Sequence, residues 1–336
     1  MQRWSRSLTE RDWAVRVVSP GDEPIDGVET IILPRRGFLS YLTQANAAAR
    51  HVRSFNPDIV HVHYAGGPGL WGLRSGIHPL VVSVWGADVI DLPTRFWSRL
   101  LVKRVLSKAD WITATSDMLH RASVSLCPDT ANKTTTIPFG VEIPEAASNL
   151  PAGPVKLCYI KNHKPKYGPD LLLKAMCEVR QSLPDVHLTM AGTGPMTEQL
   201  KLLSRKLNLD DIVDFVGYVD NRLIYSLLQG HHIMIMPSIM ESETFGVAAL
   251  EAAACARPVI ASRVGGVPEV VQDGVTGLLL PPGDIPALVN AITTLAKDSA
   301  ACERMGKAGY AFARERYSWE RSLDMMIDVY RKVRHD

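Results

Sequence analysis

Residues 237–282 read PSIMESETFGVAALEAAACARPVIASRVGGVPEVVQDGVTGLLLPP, and the prediction of the fold starts from these residues. A loop with two acids, Glu241 and Glu243, leads through a Phe-Gly pair into an alanine-rich segment typical of a helix. A short apolar run at 258–261 and a glycine pair then predict a strand followed by a turn. Strands that alternate with helices in this way indicate parallel βαβ units.

The acids around this helix start are spaced for a ligand. Glu243 lies just before the helix and Glu251 inside it, which separates them by about 12 Å along the axis at ~1.5 Å per residue. Between them the helix N-terminus presents free N–H groups and a partial positive charge that favour anions. Gly246 at the helix opening lets a ligand approach the backbone. The first carboxylate, the anion site and the second carboxylate match, in that order, the sugar, the diphosphate and the ribose of a nucleotide sugar.

The neighbours of Glu251 favour a ligand contact. Residues 247–255 around it are otherwise all apolar or small. A helix that is apolar on every side is usually buried, and a buried acid needs a partner. The alternative is an ordinary solvated acid on an exposed helix.

Several motifs in this order resemble the E-x7-E signature of family 4 retaining glycosyltransferases, which have the GT-B fold. They are E-x-F-G-x4-E from Glu243 to Glu251, then P-V-I-A-S-x-x-G-G-x-P-E and G-x-T-G-L-L. The resemblance implies two Rossmann-like α/β domains that face a cleft, with a C-terminal helix crossing back to the first domain. It also implies that Glu243 contacts donor-sugar hydroxyls and that Glu251 binds ribose. Thr244, Phe245 and Gly246 then belong to the donor site, the last two through backbone N–H groups.

The composition excludes several classes of protein. Across 336 residues, 37 Lys and Arg balance 35 Asp and Glu, so no nucleic-acid partner is predicted. The five cysteines form no C-x-x-C pair and predict reduced core thiols of a cytoplasmic protein. No apolar run of about 18 residues predicts a membrane span, and no signal-peptide core is present at the start.

Strands alternating with helices continue along the chain in two series. A segment rich in Pro, Ala and Ser at 142–154 is the predicted interdomain linker. We expect a first domain at 1–145, a second at 154–312 and a final helix at 313–336. Ligands bind such sheets at the carboxyl ends of strands, so we expect the site in the cleft. The strands predicted in the second domain are 155–160, 186–191, 212–216, 233–236, 258–261 and 277–280.

Two lysines follow the first of these strands, in the sequence YIKNHKPKYG. The resemblance implies that Lys161 and Lys166 bind the diphosphate, where they would stabilise the leaving nucleotide. The family usually has Arg where Lys161 stands, and Tyr167 is an insertion before the next glycine. A solvated loop is the alternative. Gly192 and Gly194 form a turn that the resemblance puts near the nucleotide base.

Candidate acceptor-side residues lie in the first domain. Many relatives carry a histidine near the position of Trp85, which itself cannot accept a proton. Asp88 is then the nearest candidate to contact an acceptor hydroxyl, and a helix cap is the equal alternative.

Two histidines mark a strand predicted at 58–63, which a loop at 64–69 follows. His61 and His63 alternate along the strand and share a face. A pair of this kind can bind a metal, but no third ligand at suitable spacing is evident. His63 is therefore an acceptor-side candidate, and we expect no bound metal.

The predicted helix at 94–108 combines basic and aromatic residues. Arg95, Arg99 and Lys103 recur at four-residue spacing and are interleaved with Phe96 and Trp97. Such a helix can seat a protein on anionic lipid at the inner face of a membrane, as family members with lipid-linked acceptors do. A solvated charge stripe is the alternative.

The start of the chain departs from the family pattern. Relatives open with a short strand and a glycine-rich loop ahead of a helix, and residues 8–15 match the end of that helix. The first strand and the loop are therefore expected to be missing. Either the start is truncated or the first domain is incomplete.

The sequence thus predicts a retaining glycosyltransferase that moves a sugar from a nucleotide-diphosphate sugar to an acceptor hydroxyl. The acceptor would be a saccharide or lipid-linked saccharide in polysaccharide or glycoconjugate biosynthesis. The donor is a co-substrate, and no D-x-D metal motif is present. The alternatives are a non-catalytic nucleotide-sugar-binding protein and a nucleotide-sugar 2-epimerase of the same fold.

Overall fold

The protein forms two compact α/β units in a computed structural model. One unit comprises residues 1–138 and 320–336, and the other comprises 139–319. Within the described part of the chain, no helix is long and apolar enough to span a bilayer. The structure describes residues 2–21, 23–34, 37 and 39–335.

The first unit contains short parallel strands and the helices that cover them. Its elements are α1 (Gln2–Thr9), β1 (Arg16–Ser19), β2 (Glu29–Ile32), α2 (Leu39–Thr43), α3 (Ala45–Phe55), β3 (Val60–His63), α4 (Gly67–Ser75), β4 (Leu80–Val84), α5 (Phe96–Lys108), β5 (Trp111–Ala114), α6 (Asp117–Leu126) and β6 (Thr134–Thr136). The strands form two separate sheets, β1-β2 and β3-β4-β5-β6. Every residue of β4 is buried, as suits a parallel sheet covered on both faces.

Helix α4 occupies part of the segment predicted as a loop. The prediction of a loop at 64–69 holds for residues 64–66 and is wrong for 67–69, because glycine, usually unfavourable in a helix, serves here for close packing. A Cβ on Gly72 would lie 2.5 Å from Cγ2 of Val62, and one on Gly69 would lie 2.8 Å from Cγ1 of Val105. The glycines therefore bring α4 directly against β3 and α5.

The second unit is built on one six-stranded parallel sheet of order β12-β11-β10-β7-β8-β9. The strands predicted for this unit are confirmed to within one residue at each end. The final helix continues into the first unit from Glu320 onward. The elements of the second unit are β7 (Lys156–Ile160), α7 (Pro169–Ser182), β8 (His187–Ala191), α8 (Thr197–Lys206), β9 (Val213–Gly217), α9 (Ile224–Gln229), β10 (Ile233–Met236), α10 (Val247–Ala254), β11 (Val259–Ser262), α11 (Val267–Val270), β12 (Gly277–Leu280), α12 (Ile285–Lys297) and α13 (Ser299–Arg316). The final helix, α14 (Trp319–His335), belongs to the first unit except for its first residue.

The sheet order places β7 beside β10, where the winding of the chain reverses direction. β7 pairs with β8 on one side and with β10 on the other, always in parallel. At such a reversal the loops that leave adjacent strands diverge to opposite faces and open a crevice at the carboxyl ends. The crevice is bordered by the loops that follow Ile160 and Met236.

The segment rich in Pro and Ala before β7 is fastened to the second unit. Arg257, 1 % exposed, donates hydrogen bonds to the backbone carbonyls of Ser148 (3.1 Å) and Asn149 (2.7 Å). It also donates to the carbonyls of Leu228 and Gln229 at 3.2 and 3.0 Å. The predicted linker therefore runs along the second unit on a fixed path.

Helix α13 packs against α10 and the residues that follow it. Two glycines of α13 allow the closeness of this packing to be tested with a control. A Cβ on Gly306 would lie 2.1 Å from the carbonyl oxygen of Ala256, whereas one on Gly309 would lie 3.4 Å from the Cβ of Ala253. We expect Gly306→Ala to lower the free energy of unfolding by about 2 kcal/mol, because overpacking outweighs the helix-propensity gain of about 1 kcal/mol. Urea unfolding followed by circular dichroism measures this. Gly309→Ala is the control and should be neutral or stabilising; equal stabilities would contradict the packing.

Candidate active site

An ion pair joins the two loops that border the crevice. Lys161 follows β7 and Glu243 lies in the loop after β10, and Lys161 Nζ is 3.0 Å from Glu243 Oε1. Glu243 is only 7 % exposed, and the Ser238 hydroxyl donates to its other carboxylate oxygen at 3.4 Å. Because a buried carboxylate is costly without a partner, these two contacts hold Glu243 in place at the crevice.

The two predicted phosphate-binding lysines lie against one aromatic ring. Lys161 Nζ and Lys166 Nζ are 5.0 and 4.9 Å from the ring centroid of Tyr167, at distances where cation–π attraction acts. The N–H of Ile239 donates to the Lys166 carbonyl at 2.9 Å and ties this loop to the loop after β10. The inserted tyrosine thus brings both cations to one ring, and one of them, Lys161, also pairs with Glu243.

The start of α10 has the geometry of the predicted anion site. Gly246 precedes the helix with a φ of +95°, a left-handed conformation that favours glycine. The Phe245 ring is buried, with centroids 5.8 Å from Phe139 and 6.0 Å from Tyr317. Only the backbone of Phe245 therefore remains for a ligand, while Thr244 is half-buried. The first N–H groups of a helix have no acceptor within the helix.

Glu251 lies on the one side of α10 that is not enclosed. Its position is half-buried, whereas most other residues of the helix are fully buried. The expectation that the acid is enclosed is therefore wrong, because the helix is covered on all sides but this one. A half-buried carboxylate remains within reach of a ligand.

The turn with Gly192 and Gly194 packs on the backbone of the loop that carries Lys161. A Cβ on Gly192 would lie 2.0 Å from the Lys161 carbonyl oxygen, and one on Gly194 would lie 2.5 Å from that of His163. This close packing alone explains both glycines. Their contact with a nucleotide base stays a prediction.

Three contacts of the site were not predicted from the sequence. The Ser238 hydroxyl meets Glu243, the Tyr167 ring meets two lysines, and Glu241 Oε2 accepts the Gly265 N–H at 2.8 Å. Ser238 stands just beyond an apolar strand, and this position is the signal that could have identified it. The other two contacts depend on how distant loops meet, which no local pattern reveals.

Asp88 in the first unit is fully buried. Its carboxylate accepts backbone N–H groups from Ala65 (3.0 Å), Trp85 (3.1 Å) and Gly86 (2.9 Å). Burial raises the pKa of Asp88, and these hydrogen bonds act in the opposite direction. The geometry supports the structural alternative, in which Asp88 holds the loop after β4 rather than an acceptor.

The other acceptor-side candidates form an aromatic cluster. The His63 ring is 5.2 Å from that of Trp85 and 4.1 Å from that of His61, between ring centroids. His61 Nδ1 lies 2.5 Å from the Tyr330 hydroxyl, and Nε2 lies 2.7 Å from the Ser83 hydroxyl. Burial lowers the pKa of His61 to about 3 and that of His63 well below its usual value. Among the residues that the structure describes, no group of three His, Cys, Asp or Glu side chains is placed to hold a metal ion.

The fold and the site together indicate the class of protein to which the chain belongs. A doubly wound parallel sheet, with a carboxylate, two cations and a helix N-terminus at its switch point, is typical of a nucleotide-binding α/β protein. The sequence model described as "Glycosyl transferases group 1" matches residues 142–312, and "Glycosyl transferase 4-like" matches residues 1–116. The chain belongs to the group 1 glycosyltransferases.

Two curated relatives agree with this assignment. A GDP-mannose-dependent alpha-(1-6)-phosphatidylinositol monomannoside mannosyltransferase from Mycolicibacterium smegmatis is 30% identical over 73% of this chain and 68% of its own length. A D-inositol 3-phosphate glycosyltransferase from Kribbella flavida is 28% identical over 94% of this chain and 80% of its own length.

Solved structures show the same fold. Sucrose-phosphate synthase from Thermosynechococcus elongatus matches with a TM-score of 0.84 and 24% identity, over 98% of this chain and 91% of that one. HepE from Anabaena, solved with UDP and glucose, matches with a TM-score of 0.81 and 20% identity, over 97% and 94%. The predicted GT-B fold is thus confirmed, and the protein is a glycosyltransferase that uses a nucleotide sugar.

Removing the cation from the ion pair tests how much the site depends on it. We expect Lys161→Met to lower the free energy of unfolding by about 2 kcal/mol, because the Glu243 carboxylate stays buried without its cation. Urea unfolding at neutral pH measures the change.

Lys164→Met is the control, since Lys164 is exposed on the same loop. It should change stability by less than about 0.5 kcal/mol. Adding Glu243→Gln to Lys161→Met should restore part of the loss, because the two side chains are coupled. Equal effects of the two lysine variants would contradict the importance of the ion pair.

Proposed function

We propose that the protein transfers a sugar to an acceptor hydroxyl with retention of the anomeric configuration. The observation that carries this proposal is the ion pair of Lys161 and Glu243 at the switch point, beside the N-terminus of α10. The carboxylate suits the hydroxyls of a sugar, and the cation in contact with it suits a phosphate. In a nucleotide-diphosphate sugar the sugar and the diphosphate are likewise adjacent.

Each part of the donor has a partner in this proposal. Glu243 accepts hydrogen bonds from hydroxyls of the donor sugar, and Lys161 and Lys166 neutralise the diphosphate. Backbone N–H groups at Gly246 and its neighbour Phe245 hold phosphate oxygens at the helix N-terminus. Glu251, half-buried further along α10, accepts from the ribose hydroxyls.

The reaction proceeds on one face of the sugar. The acceptor oxygen attacks the anomeric carbon from the side on which the nucleotide leaves, the bond from that carbon to the phosphate oxygen breaks, and the acceptor proton passes to that oxygen. The two lysines stabilise the charge that develops on the departing diphosphate. Because they supply this charge, we propose a reaction without a resident metal ion.

The names of relatives suggest which donors and acceptors to consider. The names of the two curated relatives contain GDP-mannose, a phosphatidylinositol monomannoside and D-inositol 3-phosphate, and HepE was solved with UDP. We propose a GDP-sugar or UDP-sugar donor and a saccharide or lipid-linked saccharide acceptor for this chain. The product belongs to polysaccharide or glycoconjugate biosynthesis.

Two other functions use the same donor site. A binding protein holds the donor without turnover, and a 2-epimerase changes the sugar without an acceptor. Release of free nucleotide only when an acceptor is present identifies the transferase, and NMR of the product's anomeric centre then tests retention. Release of inverted product would contradict the proposed mechanism but not the transferase activity.

Nucleotide binding is expected to stabilise the protein. A thermal-shift series with UDP, GDP, ADP and their sugars should give a rise of a few degrees with one nucleotide, because ligand at 100 times its Kd adds about 2.7 kcal/mol. Glu251→Ala should abolish most of the shift by removing the ribose contact. Glu198→Ala, which changes an exposed acid of α8, should leave it intact. A cooperative melt with no shift from any nucleotide would contradict the donor site.

A membrane surface is the proposed location of the acceptor. Phe96, Trp97 and Leu100 at the start of α5 are 67%, 79% and 46% exposed. The exposed Arg95 and Arg99 lie among them, so apolar and cationic groups share one patch. We place the protein in the cytoplasm, where its five free cysteines stay reduced, at the inner face of the membrane.

Vesicle flotation tests this patch. The protein should float with phosphatidylcholine vesicles that contain phosphatidylglycerol and less with phosphatidylcholine alone, and added salt should weaken binding. Phe96→Ser with Trp97→Ser should abolish flotation. Tyr218→Ser with Leu223→Ser, which removes exposed apolar side chains of the second unit, is the control. Equal flotation of both double variants would contradict docking through α5.

The strand pairing in the first unit is relevant to the prediction that the opening strand is missing. Among the described residues, no strand joins β1-β2 to the β3–β6 sheet. The expected absence of the opening strand and glycine-rich loop stays a prediction.

A further inference from the structure

The loop after β7 carries both lysines of the proposed donor site, and its backbone is bonded to the turn after β8. The Lys161 N–H donates to the Ala191 carbonyl at 3.1 Å, and the His163 N–H donates to the Thr193 carbonyl at 3.0 Å. In the other direction, the Met196 N–H donates to the His163 carbonyl at 3.1 Å. The first residues of the lysine loop therefore lie directly against this turn.

The side chain of His163 adds a contact of a different kind. It is fully buried, although it lies in a loop that borders the crevice. Its Nδ1 is 3.0 Å from the hydroxyl oxygen of Thr197, the first residue of α8. The same oxygen accepts the Gly194 N–H at 2.9 Å. One hydroxyl group thus joins the lysine loop, the glycine turn and α8.

These bonds indicate which nitrogen of the ring carries the proton. Burial lowers the pKa of His163, and the Lys201 ammonium acts in the same direction, so the ring is neutral at pH 7. With the proton on Nε2, Nδ1 accepts the Thr197 O–H. With the proton on Nδ1, both the hydroxyl proton and Nε2 would lack a partner among the described residues. The Nε2–H form therefore leaves fewer groups unpaired.

The other nitrogen shows that packing alone does not explain this histidine. Nε2 is buried and has no hydrogen-bond partner in the part of the chain that the structure describes. The ring lies among aromatic side chains, with centroids 6.1 Å from those of Tyr159 and Phe215. A buried polar group without a partner costs free energy, which an apolar side chain of similar size would avoid. What histidine adds at this position is the Nδ1 acceptor.

We propose that His163 is a positioning residue of the donor site, which holds Lys161 in place for the diphosphate through its bond to Thr197. This inference rests on the proposed function, because it concerns how the diphosphate is held. The enclosed ring does not itself contact the donor.

The position of Lys161 matters because its ammonium group has two tasks. It pairs with Glu243 in the structure, and in the proposed reaction it also faces the diphosphate. Charge-assisted hydrogen bonds depend on close and directed contact, and a displacement of about 1 Å is enough to weaken a site of this kind strongly. A side-chain bond two residues further along the same loop restricts such a displacement.

The experiment removes either partner of the bond in the full chain. His163→Leu and Thr197→Val each delete one partner with little change in size, and isothermal titration calorimetry measures the binding of UDP, GDP and ADP. Each variant should weaken the nucleotide that binds by about tenfold. Thr293→Val is the control and should leave the affinity unchanged. The Thr293 hydroxyl is also buried in the second unit, but it has no hydrogen-bond partner among the described residues.

A further substitution shows whether the bond acts through Lys161. Lys161→Met alone should weaken binding by about tenfold, because the ammonium that faces the diphosphate is lost. Adding Thr197→Val should then weaken binding by less than about threefold, because the group that the bond positions is gone. A general structural role for the bond would weaken binding by the same factor with and without Lys161.

Nitrogen-15 NMR of the ring tests the bond without any nucleotide. At pH 7 the His163 ring should carry its proton on Nε2, and the Nδ1 resonance should shift in Thr197→Val. An Nδ1 resonance that this substitution does not change would overturn the proposal, because the bond would not be formed.

The binding results separate two kinds of failure. Equal weakening by Thr197→Val in the two backgrounds, or no weakening by either single variant, would overturn the role of His163 and leave the donor site intact. If the unaltered protein binds none of the three nucleotides, the donor site itself is refuted, and the role of His163 is refuted with it.

Discussion

The contact between Lys161 and Glu243 is the interaction on which the site depends. The two residues are far apart in sequence and meet because the sheet order sets β7 against β10. Their loops also touch through the backbone, since a Cβ on Gly168 would lie 2.2 Å from the Pro237 carbonyl oxygen. The loops that carry the charged groups are thus held by backbone packing. Groups fixed in this way stabilise the charge that develops in a transition state without having to move first.

The ion pair makes the two halves of the proposed donor site interdependent. Lys161 balances Glu243 in the structure, and in the proposed reaction it also faces the diphosphate. Phosphate oxygens would then compete with the carboxylate for one ammonium group. Lys166, which also lies against the Tyr167 ring, would supply the second positive charge that this sharing requires.

The sequence predicts most of the second unit because its strands are short apolar runs between clear helices. It also predicts Glu243 and Lys161 as site residues, since both follow strands and belong to motifs with a defined order. The hydrogen bonding of Asp88 was not predictable, because its three backbone donors come from two loops that meet only in the folded chain. The start of helix α4 was missed because glycine usually signals a turn. Only the side chains against which these glycines pack show why glycine occurs in this helix. The partners of Arg257 are likewise distant in sequence, so no local pattern reveals them.

Arg257 also changes how the segment before β7 responds to a protease. Its sequence is rich in Pro, Ala and Ser, and such segments are commonly nicked where they are exposed. Here the carbonyls of Ser148 and Asn149 are bound by a guanidinium that is itself buried. Cleavage between these residues requires the segment to lift from the surface and break both bonds. The rate of such a cut would therefore report local unfolding of the second unit rather than the mobility of a linker.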